Sequence, residues 1–122
     1  MHLQEKTVDQ VRVITIGEPR LDSVIANEFK KQVFELLKTG PPHILLNMNE
    51  VSMIDSSALG IFALVYKASK KQGEFALCEI RKNVETLLRM TRLDQVFLCY
   101  QTEEEAIAEL MKKVPTGSNT GA

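Results

Sequence analysis

The sequence predicts a single α/β domain: a mostly parallel sheet of four to five strands with about four helices. Two observations lead there. Short runs of β-branched and apolar residues alternate with longer segments whose apolar residues recur at helical spacing, the order produced by successive β-α units. Glycine, proline or a capping residue stands at most of the junctions between them. The chain has 122 residues, enough for one hydrophobic core, and no linker divides it. Residues 1–114 are expected to form the domain, with the small, polar segment Pro115–Ala122 as a disordered tail.

Val11–Ile16 is rich in β-branched residues and reads as a strand stopped by Gly17 and Pro19. Leu3–Val8 reads as a weaker strand, pairing with it through a turn near Asp9-Gln10. Asp22-Ser23 offers capping chemistry for a helix in which Ile25, Phe29, Val33, Leu36 and Leu37 share one face, ended by Gly40-Pro41-Pro42. Ile44–Asn47 is the next strand. A polar turn, Asp55-Ser56-Ser57, then hands over to an apolar helix reaching about Lys71, closed by Gly73. Phe75–Cys78 forms a further strand, and Val84, Leu87 and Leu88 mark a third helix ending near Thr91-Arg92. Val96–Tyr100 reads as the last strand. Thr102-Glu103-Glu104-Glu105 is a capping box for a final helix using Ile107, Leu110, Met111 and Val114.

Composition removes several function classes. Fifteen basic and sixteen acidic residues give a net charge of -1 and are well mixed, so no electrostatic footprint for nucleic acid stands out. No apolar run approaches the roughly 20 residues that cross a bilayer, and the N-terminus lacks the pattern of a secretory signal. A cytoplasmic location is expected. Cys78 and Cys99 both lie in apolar strand-like runs and read as reduced, buried small hydrophobes. The two histidines, His2 and His43, are isolated, so no metal site is expected.

The chemistry concentrates at Asp55-Ser56-Ser57. A helix start presents free N–H groups and the positive end of the helix dipole, so a hydroxyl there can cap the helix, touch a phosphate or receive one. Ser56 has the strand–turn–helix setting of a hydrolase nucleophile, but no GxSxG surrounds it, and His43 opens the preceding strand at its far end. Neither GxxxxGK[ST] nor GxGxxG occurs. No catalytic set and no cofactor are expected.

Asp55-Ser56-Ser57 followed by Leu59-Gly60 resembles the motif of the STAS domain family, which includes bacterial anti-sigma factor antagonists and cytoplasmic domains of sulphate transporters. The resemblance runs from about Val11 to Leu110. It takes in Asn47 and Val51 before the motif, Lys70-Lys71-Gln72-Gly73 after it, and the Leu87-Leu88 to Leu93 segment. It implies that Ser56 is the residue phosphorylated by a partner anti-sigma factor, a serine kinase, and that a PPM-type serine phosphatase reverses the modification. The unphosphorylated protein would bind the anti-sigma factor and so free the sigma factor for transcription. The resemblance also implies a monomer or weak dimer, with no direct nucleic-acid contact and no membrane insertion.

Asp55, Ser57, Ala58 and Leu59 would shape the loop or touch the partner. Asp22 resembles the family's acidic residue beside that loop, and its position equally fits the N-cap of the first long helix. For Ser56 the plain reading is helix capping, and for Ser57 a first-turn residue satisfying a free N–H. Three positions depart from the family pattern. Ala58 stands where the family has glycine, Arg92 replaces a glycine in the later Met-Ser/Thr-Gly-Leu pattern, and Pro19-Arg20 lengthens the first turn. A second reading keeps the fold but drops phosphorylation, leaving an adaptor in a transport or signalling complex. A third, a small enzyme using Ser56, lacks its histidine.

Overall fold

The structure, a computed structural model, describes residues 1–113. The expected tail, and the use of Val114 by the last helix, lie outside the described residues. The chain order is β1 (Leu3–Val8), β2 (Val11–Ile16), β3 (Arg20–Leu21), α1 (Ser23–Leu37), β4 (His43–Asn47), β5 (Met53–Ile54), α2 (Ser56–Ser69), β6 (Phe75–Cys78), α3 (Lys82–Met90), β7 (Leu98–Tyr100) and α4 (Glu103–Met111), with a 3-10 turn at Leu93–Gln95. Five strands form one sheet in the order β1-β2-β4-β6-β7. β1 and β2 pair antiparallel through the two-residue turn Asp9-Gln10, and every later pairing in the sheet is parallel. Asp9 takes a positive φ of 53° there, a conformation that Asp tolerates better than most residues.

β4 and β6 are buried at every position because helices cover both faces of the sheet, which is why they read as unbroken apolar runs. On one face Ile14, Ile44, Leu46, Phe75 and Leu77 meet Phe29 and Val33 of α1, Phe62 and Val65 of α2, and Val84 and Leu88 of α3. Phe29 and Phe62 pack edge to face at 5.8 Å, joining α1 to α2. On the other face Val11, Val13, Leu45, Ala76 and Cys78 lie under Ala106 and Leu110 of α4. β1, at one edge, carries the exposed polar run Gln4-Glu5-Lys6-Thr7, which discourages further strand pairing.

Two buried polar side chains fasten the loops opposite the Asp-Ser-Ser turn. Arg12 lies 2.8 Å from the Glu5 carboxylate and donates to the carbonyls of Leu36 and Thr39, closing the C-terminal end of α1. His43 Nδ1 accepts the Glu74 N–H at 2.9 Å, which fixes the entry to β6. Burial lowers the His43 pKa and favours the neutral ring that this bond requires.

Three details differ from the sequence expectation, and a fourth position, Arg92, has a backbone that the sequence did not announce. β7 begins at Leu98, because residues 93–95 make a 3-10 turn and leave Val96 45% exposed. Cys99 is exposed rather than buried: it lies on the edge strand, and only Cys78 is in the core. The Thr102 cap forms, accepting the Glu105 N–H, but the Glu105 carboxylate returns its bond to the N–H of Gln101, one residue before the cap. Arg92 sits at the far end of α3 from Arg81, a nine-residue helix of about 13 Å, with φ 62° and ψ 16°. It occupies the left-handed position just past a helix end, where glycine is commonest. Arg92→Gly is therefore expected to raise stability by about 0.5–1 kcal/mol, read as a rise of roughly 4 °C in the thermal midpoint.

Candidate functional site

The polar turn is built from two copies of one local design. Arg20-Leu21-Asp22-Ser23 and Met53-Ile54-Asp55-Ser56 each run strand, aspartate, helix start. β3 and β5 pair parallel, with Arg20 opposite Met53 and Leu21 opposite Ile54. The aspartate that follows each strand is an N-cap, at φ -123°, ψ -175° for Asp22 and φ -122°, ψ -175° for Asp55. The helices α1 and α2 therefore begin side by side. Leu21 and Ile54 are buried and anchor the pair to the core. The Pro19 carbonyl accepts from both the Ser52 N–H and the Ser52 hydroxyl, so the residues that lengthen the first turn become its tie to the β5 approach.

Asp55 joins the two helix starts. Its Oδ1 accepts the N–H groups of Ser57 at 2.9 Å and Ala58 at 3.2 Å, and its Oδ2 reaches across to the N–H of Ser23 at 3.0 Å. Asp22 caps its own helix, accepting from Val24 at 3.0 Å. The expectation that Asp22 serves as the N-cap of α1 is met, and it also stands beside the Asp55 turn.

The capping reading of the serines is not met. Asp55 is the cap, Ser56 is the first residue of α2 and exposed, and neither Ser56 nor Ser57 hydroxyl makes a hydrogen bond among the described residues. Ser57 meets its free N–H through Asp55, not through its own hydroxyl. Ala58 and Leu59 turn inward, at 0% and 7% exposure, so they shape the helix start from the core side. Ala58 has ordinary helical geometry and no positive φ, so the missing glycine costs nothing here; alanine is the better helix former by about 1 kcal/mol.

Two features of this surface left no clear mark in the sequence. Val24 in the first turn of α1 and Met53 on β5 are 84% and 50% exposed, which leaves apolar side chains at the surface on the two paired strand-to-helix segments. Arg20 lies against Met53, with Nη2 3.8 Å from the sulfur. The one available signal for the β3–β5 pair was the repeated apolar-Asp-Ser string. His43 sits at the opposite end of β4, a strand of roughly 13 Å, buried and occupied by the Glu74 N–H, so it cannot serve Ser56 as a base. Among the described residues no cluster of His, Cys, Asp and Glu could hold a metal ion, and no helix is long and apolar enough to cross a membrane.

A mostly parallel sheet thus carries two paired, aspartate-capped helix starts, with the exposed Ser56 hydroxyl on the second of them. The STAS domain family model matches residues 2–106, and the chain belongs to that family. It is 38% identical over 110 residues to a protein of Thermotoga maritima named as a candidate anti-sigma factor antagonist, covering 88% of this chain and 96% of the relative. The crystal structure of a Thermotoga maritima protein described as a candidate anti-sigma factor antagonist superposes with a TM-score of 0.80 at 33% identity, over 89% of this chain and 94% of the other. The anti-sigma factor antagonist SpoIIAA in its unphosphorylated form shares the fold, with a TM-score of 0.75 at 21% identity over 93% of this chain and 99% of its own.

Proposed function

We propose that the chain is an anti-sigma factor antagonist, switched by phosphorylation of Ser56. The observation that carries this reading is the state of Ser56: first in its helix, exposed, with an unbonded hydroxyl on a turn held rigid by the Asp55 carboxylate. A kinase can reach that hydroxyl without unfolding anything. Phosphate adds about 1.5 to 2 negative charges at a helix N-terminus, where the dipole tolerates them. The fold keeps its stability, while the surface around Val24 and Met53 loses its fit to a partner. The unphosphorylated form binds an anti-sigma factor of the serine kinase type in the cytoplasm, and a PPM-type phosphatase restores that form.

The test is incubation with ATP and a purified anti-sigma factor of the serine kinase type from the same organism, followed by intact mass. One added phosphate is expected on the wild type and none on Ser56→Ala. Ser56→Asp should weaken the complex by roughly 30-fold or more, about 2 kcal/mol, with its thermal midpoint within a degree or so of the wild type. Equal affinity for Ser56→Asp and wild type would sink the charge switch. A complex that forms with no mass shift would instead favour a constitutive adaptor.

A further inference from the structure

Below the two helix starts, α1 and α2 run side by side and leave a groove of about 450 Å³, lined by Ser23, Asn27 and Lys30 on one wall and Ser57, Gly60 and Leu64 on the other. Gly60 is the unexpected member. It is the fifth residue of a fourteen-residue helix, without a positive φ, and a Cβ added there would meet nothing within 4 Å. A glycine in such a place costs about 1 kcal/mol relative to alanine. Nothing inside the domain asks for it. A flat spot on an exposed helix allows another backbone to come close.

Lys30 is the charged residue among those lining the groove, and the nearest carboxylates, Asp22 and Asp55 at its mouth, are taken up by N–H groups of the two helix starts. α2 contains no acidic residue, and none lines this groove, although the whole chain carries a net charge of -1. Lys30, Lys31, Lys67 and Lys71 are exposed and form no ion pair among the described residues, in contrast to Lys38, Lys70 and Lys112, which do. Lys67 continues the stripe of Gly60 and Leu64 at helical spacing. Leu64 is 43% exposed, so the α2 wall offers apolar contact opposite Lys30 and next to Lys67. Lys30 also borders the adjoining hollow along α1, beside Lys31 and Phe34.

We propose that this groove seats an acidic amphipathic helix of the protein partner, laid along α2 from Ser57 toward Lys67 with its backbone close over Gly60. The assignment rests on the reading of the Ser56 surface as the partner contact, with which the groove is continuous at Ser57. It explains how a modification confined to one end of the groove displaces a partner held along its length. Phosphate on Ser56 would repel the acidic helix at its first turn.

The experiment measures binding of the full chain to the same anti-sigma kinase used in the phosphorylation test, at low and high salt. Three variants are compared with wild type: Gly60→Leu, Lys30→Glu combined with Lys67→Glu, and Ser56→Asp. Gly60→Leu should fold with an unchanged or higher thermal midpoint and bind at least about tenfold more weakly, and Gly60→Ala should show a smaller loss. The double charge reversal should cost a similar factor and remove most of the salt dependence. If Ser56→Asp loses the partner while the groove variants bind like wild type, the groove assignment is wrong and the Ser56 reading stands. If wild type binds no anti-sigma kinase, both fall. Flotation with phosphatidylcholine–phosphatidylglycerol vesicles that the charge reversal abolishes would make an anionic membrane the occupant, and self-association reversed by Gly60→Leu would make it a second copy; either overturns the proposal.

Discussion

Asp55→Ala is expected to destabilise the domain by about 2–3 kcal/mol, far more than any change at the neighbouring serines. Loss of an N-cap aspartate alone costs roughly 1–2 kcal/mol. Here the same carboxylate also accepts the Ser23 N–H across the gap between the helices, so one substitution strands three backbone donors at two helix starts. A further donor without a partner in this half-buried setting adds about 1 kcal/mol. The midpoint of thermal unfolding should fall by roughly 8–12 °C. The urea midpoint should fall in proportion, with an unchanged slope. Asp55→Asn keeps one acceptor oxygen and should lose about half as much. A loss below about 1 kcal/mol for Asp55→Ala would mean that water replaces the carboxylate and that the two helix starts are not mechanically joined.

Gly40→Ala should be at least as damaging, by about 3 kcal/mol, although Gly40 is exposed and far from Ser56. Two effects add. Its φ of +97° lies where side chains are strained, at a cost of about 1–3 kcal/mol. The new Cβ would also run into the Arg12 guanidinium. An arginine end usually swings aside cheaply, but this one is 5% exposed and bound to the carbonyls of Leu36 and Thr39 and to Glu5. Displacing it leaves a buried charge with fewer partners and opens the C-terminal end of α1. Equilibrium unfolding in urea measures the loss. The double variant Gly40→Ala with Arg12→Met checks the cause, since removing the guanidinium should return part of the stability. A double variant no better than Gly40→Ala would assign the whole effect to backbone strain.

The long, periodic elements were legible in the sequence because burial imposes one pattern over many residues. α1 shows its face through Phe29 and Val33, and β4 and β6 show theirs as unbroken apolar runs. β3 and β5 were not legible, since two residues carry no period and their pairing joins segments more than thirty positions apart. The Asp55-Ser56-Ser57 triplet announced a helix start but not which of its residues is the cap. Cap identity depends on a one-residue choice of register, and here Asp55 takes it, leaving the Ser56 hydroxyl without a bond. Cys99 was misjudged for a related reason. An apolar run marks a strand, while its place at the sheet edge is a property of the whole topology. Ser56 stood out as a candidate at once; the exposed Val24 and the open flank of Gly60 required coordinates.

The strand order β1-β2-β4-β6-β7 follows the chain without a single insertion. Each new strand joins the free edge of those already made, so a chain leaving the ribosome can assemble the sheet outward in order of synthesis without reopening a pair. The second face is another matter. Val11, Val13, Leu45 and Ala76 wait there for Ala106 and Leu110, which arrive last on α4. The aggregation-prone interval in the life of this chain therefore falls between completion of β7 and docking of α4, when the sheet is whole but one side of it is still wet.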